Sequence, residues 1–258
     1  MLTLVLLPGM DGTGALFAPF IDALESQFSV QVVAYPTTGA LGYAELEQYA
    51  RAHLPKDRRF VILGESFSGP IALSLAASGP PGLEGVVLCS TFACNPRSAF
   101  GWMLSLVGVL PVKLAPTPVL SALLLGRFST PLLRSQLAAA MSKVSAQALR
   151  ARLRAVLSID VSAQLAAINV PVLYLLAEHD LVVPVSALQH IRRHLPAVQV
   201  AAIDAPHFLL QTAPAEAARA IGEFVHPLQD VIQPLRLQAF HTIGCRTPQR
   251  FTYCRNYV

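Results

Sequence analysis

Three residues far apart in the chain, Ser66, Asp180 and His207, are of the types that together turn an alcohol into a nucleophile. A serine hydroxyl attacks an acyl carbon poorly unless an imidazole takes its proton. The imidazole does this best when a carboxylate fixes its tautomer and orientation. Ser66 lies in Arg59-Phe60-Val61-Ile62-Leu63-Gly64-Glu65-Ser66-Phe67-Ser68-Gly69, an apolar run ending in small residues around one serine. Phe60 to Leu63 read as a strand buried on both faces, and Gly69-Pro70-Ile71-Ala72-Leu73-Ser74-Leu75-Ala76-Ala77 as a helix with an apolar face. A serine between them occupies the tip of a sharp turn, where strained backbone angles expose Oγ and aim the next N–H groups at it. The plain alternative is an ordinary strand, turn and helix with an incidental serine.

Asp180 ends Tyr174-Leu175-Leu176-Ala177-Glu178-His179-Asp180, just before Val183-Pro184 opens a helix, and His207 follows a strand in Asp204-Ala205-Pro206-His207-Phe208. Singly, such an aspartate is often a helix cap and such a histidine a loop residue. Together with Ser66, both fall at the carboxyl ends of strands, where an open α/β sheet puts its chemistry. Asp204 is too near His207 in sequence to orient its far nitrogen. His53, His190 and His194 sit in expected surface helices, His179 stands beside the acid, and His226 and His241 follow the closing helix.

Acyl transfer also needs two N–H groups aimed at the oxyanion that develops. Phe67 supplies one, directly after the candidate nucleophile. The loop Leu7-Pro8-Gly9-Met10-Asp11-Gly12-Thr13-Gly14 should supply the other through the N–H of Met10. Its glycines invite a rival reading as a phosphate-binding turn, but the spacing is G-x-x-G-x-G, no Gly-Lys-Ser/Thr follows, and Asp11 would repel a phosphate. Glu65 is expected to bond nearby backbone rather than to react.

Positioning these residues requires alternating strands and helices. Leu2 to Leu7, Val30 to Tyr35, the run before Ser66, Leu83 to Cys89, Val170 to Leu176 and Val198 to Ile203 read as strands; Gly14 to Glu25, Tyr43 to Leu54, the helix after Ser66, Pro184 to Leu195 and Pro214 to Val225 read as helices. That order predicts an α/β fold with a six-stranded, mostly parallel, doubly wound sheet. Strand signals vanish over 95–160, where helical stretches are separated by Pro111, Pro116, Pro118, Gly126 and Pro131. An inserted helical cap is expected there, on a core built from 1–94 and 161–226. Residues 227–258, punctuated by Pro227, Pro234 and Pro248, read as an appended tail without catalytic duty.

A chain of 258 residues, 53% apolar, can bury one sizeable core. Its net charge of +4 is unevenly spread: 95–160 hold eight basic side chains and one acidic one. A helix over Val144 to Ser158 should bury Leu149, Leu153, Val156 and Leu157, leaving Arg150 and Arg154 on one flank and Arg152 on the other. A solvated face is the plain reading; docking of an acidic carrier such as acyl carrier protein, or of an anionic membrane, is the sharper one. Cys89, Cys94, Cys245 and Cys254 form no CxxC pair and no metal spacing, so reduced thiols and no metal site are expected. The apolar start lacks a basic flank and stops at Pro8-Gly9, which predicts a cytoplasmic protein. Pro111 and Lys113 break the apolar stretch from Ser98, so no transmembrane segment is expected. No cofactor and no nucleic-acid partner are expected either.

These motifs carry a resemblance. The turn around Ser66 resembles the nucleophile elbow of the α/β-hydrolases, Gly-x-Ser-x-Gly, with Ser68 in place of the second glycine. The order Ser66, Asp180, His207 is the one that family uses. Residues 1–226 are similar to a compact serine carboxylesterase lacking the usual leading hairpin, and the four-helix cap resembles that of esterases cleaving the methyl ester of pimeloyl-carrier protein. Some members carry the acid after the strand following the elbow, but no Asp or Glu lies between Glu84 and Asp160 here. The resemblance implies acyl transfer to water from a small-molecule ester through an acyl-serine. The apolar run Ser98 to Pro111, which contains Trp102, is expected to line an acyl pocket together with Phe208, plain packing of the cap on the core being the alternative. Thioester hydrolysis, and a non-enzymatic ligand receptor on the same fold, stay open at this point.

Overall fold

Six apolar strands form one sheet in the order β2-β1-β3-β4-β5-β6, every neighbouring pair parallel. They are β1 (Thr3–Leu7), β2 (Ser29–Val32), β3 (Phe60–Glu65), β4 (Leu83–Cys89), β5 (Val172–His179) and β6 (Gln199–Pro206). The computed structural model describes residues 2–24, 27–97 and 117–230. The central strands are covered on both faces, so alternate residues enter two separate apolar clusters. Val5, Leu7, Ile62, Val86, Leu88 and Tyr174 pack under α2 (Tyr43–Ala52), α3 (Gly69–Ala77) and α7 (Val185–His194). Leu4, Leu6, Leu63, Val87, Leu173 and Leu175 pack on the opposite side, under α1 (Ala18–Ala23), the short α8 (Leu209–Thr212) and α9 (Pro214–Asp230).

Several boundaries differ from the sequence reading, among them β5 and β6, which run on to His179 and Pro206, and two of the differences have a visible cause. The second strand stops at Val32 instead of Tyr35, because the Tyr35 N–H leaves the ladder and donates to the Gly12 carbonyl at 2.7 Å. The closing helix runs through Pro227 to Asp230 instead of stopping at Val225. Leu228 holds that extra turn: its carbonyl accepts from Arg59 Nη2 at 2.6 Å, and its side chain packs where Gly85 leaves room.

Between β4 and β5 the chain inserts α4 (Thr117–Leu125), a 3₁₀ turn (Gly126–Phe128), α5 (Pro131–Ser142) and α6 (Ala146–Ser158). Thr130 and Ser145 start α5 and α6 by accepting the N–H groups of Leu133 and Ala148. The neck of the insertion is tied by an antiparallel bridge between Cys94 and Asp160. The buried stripe of α6 is rotated from the expected one: Ala148, Leu149 and Arg152 are buried, whereas Leu153, Val156 and Leu157 are only half-buried. Arg152 therefore does not belong to the exposed basic face. Among the described residues, no helix is long and apolar enough to cross a membrane.

Candidate active site

Three strands of the one sheet end at the site: Ser66 follows β3, Asp180 follows β5 and His207 follows β6, with β4 between the first two. Ser66 has φ +49°, a left-handed angle unusual for a residue with a Cβ, as a sharp strand-to-helix turn demands. The turn is possible because a Cβ on Gly64 would lie 2.8 Å from both Ala72 Cβ and the Ser68 carbonyl, and one on Gly69 would collide with Thr91. Thr91 Oγ1 donates to the Ser66 carbonyl and holds the turn from the β4 side. Ser68, where the family pattern has glycine, is fully buried and donates its hydroxyl to the Pro8 carbonyl at 2.5 Å. With its one proton used there, it accepts from Tyr35 OH at 2.8 Å. The departure from glycine thus joins the elbow to the loop after β1.

Ser66 Oγ lies 2.8 Å from His207 Nε2, and His207 Nδ1 lies 2.8 Å from Asp180 Oδ2. A carboxylate only accepts, so Nδ1 carries the ring proton and Nε2 is left to accept from the serine hydroxyl. His207 is 4% exposed. Asp180 also does what its position before a helix suggested: Oδ1 accepts the N–H groups of Val182 and Val183, both at 2.8 Å. Those two bonds leave Oδ2 aimed at the imidazole. The arrangement can deprotonate an alcohol and stabilise the imidazolium that results.

Glu65, one residue before Ser66, is buried and accepts from the Gly9 N–H at 3.3 Å and from Gln211 Nε2 at 2.9 Å. Burial pushes its carboxyl up to about 7, with Asp11 adding to the rise, while Gln211, His207 and the Gly9 N–H pull the other way. The loop it grips lies against the nucleophile: a Cβ on Gly9 would stand 3.9 Å from Ser66 Cβ. Met10, next in that loop, is half-buried under the cap. Phe67 stacks on Tyr43 with ring centroids 4.7 Å apart, and its carbonyl accepts from Tyr43 OH at 2.9 Å. Phe208 is half-buried beside His207, and its N–H donates to the Leu124 carbonyl of α4 at 3.1 Å, linking the histidine loop to the insertion. Trp102 lies outside the described residues.

Asp204 takes no part in this relay: it is exposed and bonds His179 Nε2 at 2.7 Å and Arg127 Nη2 at 2.8 Å. Glu178, His179 and Asp204 gather at the surface, but the Arg127 guanidinium bonded among them disfavours a second cation. Sequence reasoning missed Tyr35, Tyr43, Gln211 and Arg152. The one advance sign was Arg152 itself, three residues after Leu149 and so at the edge of an apolar stripe.

Comparisons with known proteins agree with this architecture. The chain is 25% identical over 216 residues to a protein named putative carbamate hydrolase RutD from Caulobacter sp. (strain K31), covering 75% of this chain and 79% of that protein. A hydrolase from Pseudomonas aeruginosa PA01 superposes with a TM-score of 0.75 at 22% identity, over 87% of this chain and 89% of that one. A hydrolase from Oleispira antarctica does so at 0.73 and 19%, over 89% and 92%. At such identities these two structures speak for the fold alone. The sequence profile of the alpha/beta hydrolase family matches residues 4–220, a span that takes in all six strands apart from Thr3 of β1 and includes the Ser66, Asp180 and His207 positions, and the chain belongs to that family.

Proposed function

We propose that this hydrolase cleaves carboxylic esters of small to medium acyl chains through an acyl-serine, acting in the cytoplasm without a cofactor. The observation that carries this reading is the unbroken relay Ser66–His207–Asp180, with both links at 2.8 Å. Ser66 Oγ attacks the acyl carbon as His207 Nε2 takes its proton, and Asp180 stabilises the imidazolium. The tetrahedral oxyanion accepts from the N–H groups of Met10 and Phe67. His207 returns the proton to the departing alcohol; water then repeats the sequence and frees the acid. Phe208, beside His207, borders the acyl pocket. A carbamate passes through a tetrahedral intermediate of the same kind, and the name of the Caulobacter relative favours carbamates as a second substrate class.

The test is a p-nitrophenyl ester series of rising chain length, an aryl carbamate and a thioester, run on the native chain and on Ser66→Ala, with fluorophosphonate labelling. The expected result is a label on Ser66, multiple turnovers, and a loss of at least about 10³-fold in kcat in Ser66→Ala with the fold retained. Retention of more than a few per cent of activity in Ser66→Ala would remove the nucleophile assignment. A labelled serine with a single slow turnover on every substrate would make the chain a ligand receptor instead.

A further inference from the structure

Arg152 belongs to α6, in the insertion between β4 and β5, yet it is 1% exposed and ranks among the largest fully buried side chains. Among the described residues it makes no salt bridge. Its guanidinium instead donates from Nη1 to the Met10 carbonyl at 2.7 Å and the Asp11 carbonyl at 2.8 Å, and from Nη2 to the Pro36 carbonyl at 2.8 Å. Its Cζ stands 5.9 Å from the centroid of the Tyr35 ring. A buried cation held by neutral acceptors is costly, so an arginine retained there calls for a reason beyond filling space. The planar fork suits carbonyls converging from two segments, which a lysine would reach one at a time.

The segment it holds is the one beside the candidate nucleophile. The Gly9 carbonyl is engaged by the Gly12 N–H at 3.0 Å, and the Gly9 N–H by Glu65 at 3.3 Å. A peptide unit is planar, so fixing the Gly9 carbonyl also fixes the Met10 N–H on its opposite edge. The core therefore grips the loop ahead of this peptide, and the insertion grips the next two peptides along the chain. The Met10 side chain packs against the cluster of Val144, Ala148 and Leu149, while its carbonyl is held by Arg152. Gly12, at φ +69°, completes the fit, since a Cβ there would lie 2.5 Å from Arg152 Nη1.

We infer that Arg152 is a positioning residue that couples the seating of the helical insertion to the geometry of the oxyanion loop, so that the Met10 N–H is held in place only while α6 is docked. The inference rests on the reading of Met10 as an oxyanion donor. Arg152 touches no substrate; it acts through the Met10 and Asp11 peptides. Its loss should therefore weaken the transition state more than the Michaelis complex.

The experiment compares the native chain with Arg152→Met, Arg152→Lys and Arg152→Ala on one p-nitrophenyl ester, with a trifluoromethyl ketone as tetrahedral mimic. The expected result for Arg152→Met is a fall in kcat of about 100-fold with KM within about threefold, and a matching loss of affinity for the ketone. Arg152→Lys should lose about tenfold, and tens of millimolar guanidinium should restore at least tenfold to Arg152→Ala. A folded Arg152→Met with native kcat would overturn the coupling, as would a loss confined to KM or to thermal stability with ketone affinity unchanged. If Arg152→Met does not fold, Arg152→Lys is judged by the same split. Activity persisting in Ser66→Ala would refute the hydrolase reading itself; a dead Ser66→Ala beside a native-like Arg152→Met would refute only the coupling.

Discussion

The relay and the loop facing it are held from different directions. Ser66, Asp180 and His207 hang from the ends of β3, β5 and β6, whose positions are set by ladders of backbone bonds inside a sheet covered on both faces. The loop from Gly9 to Thr13 has no such ladder. It depends on separate grips: Glu65 and Ser68 from the elbow, Arg152 from the insertion, and its own Asp11, which accepts the Thr13 N–H at 2.9 Å. On the proposed mechanism, proton transfer and the Phe67 N–H belong to the rigid layer, while the Met10 N–H depends on a loop that the insertion helps to hold. Changes in the insertion should then disturb the second without disturbing the first.

The hardest blow to this contrast would come from the rigid side. Asp180→Asn keeps an oxygen for the Val182 and Val183 N–H groups, so the fold should survive, but its amide would favour the wrong imidazole tautomer. A drop in kcat of about 10³- to 10⁴-fold is expected, with melting temperature nearly unchanged. A loss below tenfold would mean that the sheet ends do not set the chemistry.

Glu65 stands between the two regions and supplies a subtler test through pH. The unfolded chain releases this proton near 4.5 and the folded chain near 7, because burial disfavours the carboxylate. Its contribution to stability is full below about 4.5 and is lost as pH rises through about 7, a swing of roughly 3 kcal/mol at most. Denaturant midpoints measured from pH 4 to 8 should carry this decline in the native chain and lack it in Glu65→Gln. Superimposable profiles would show that Glu65 titrates alike in the folded and the unfolded chain. The smallest effect is expected on the outer face of α6, where Arg150→Glu with Arg154→Glu should leave a short p-nitrophenyl ester within about twofold. A larger loss would place these side chains in the coupling assigned to Arg152.

How much of this was legible beforehand depended on where each constraint lies in the chain. The elbow could be read because strand, turn and helix are contiguous, and Gly64 and Ser66 announce a close crossing at the very positions that make it. Asp180 and His207 could be read because strand periodicity puts both at one edge of the sheet. Ser68 could not be understood from its neighbours, since its partners are the Pro8 carbonyl and Tyr35. Arg152 was misplaced for a related reason. Helical periodicity assigns a charged residue at the margin of an apolar stripe to solvent, and the three carbonyls that draw it inward come from segments more than 100 residues away. The turn from strand to loop at Val33 to Tyr35 was likewise invisible, because the Gly12 carbonyl that captures Tyr35 belongs to another loop.

The grip of Arg152 on main-chain oxygens alone has a bearing on how this loop can drift. Carbonyls are common to all twenty residues, so the hydrogen bonds of the clamp do not depend on which side chains stand at 10, 11 and 36, although the Asp11 carboxylate also attracts the guanidinium and the Met10 side chain packs under the insertion. Gly12 is the exception, since the guanidinium fills the space where its Cβ would stand and its φ of +69° suits no branched residue. Across descendants of this chain, position 10 should stay apolar, while 12 and 152 change together or stay as they are.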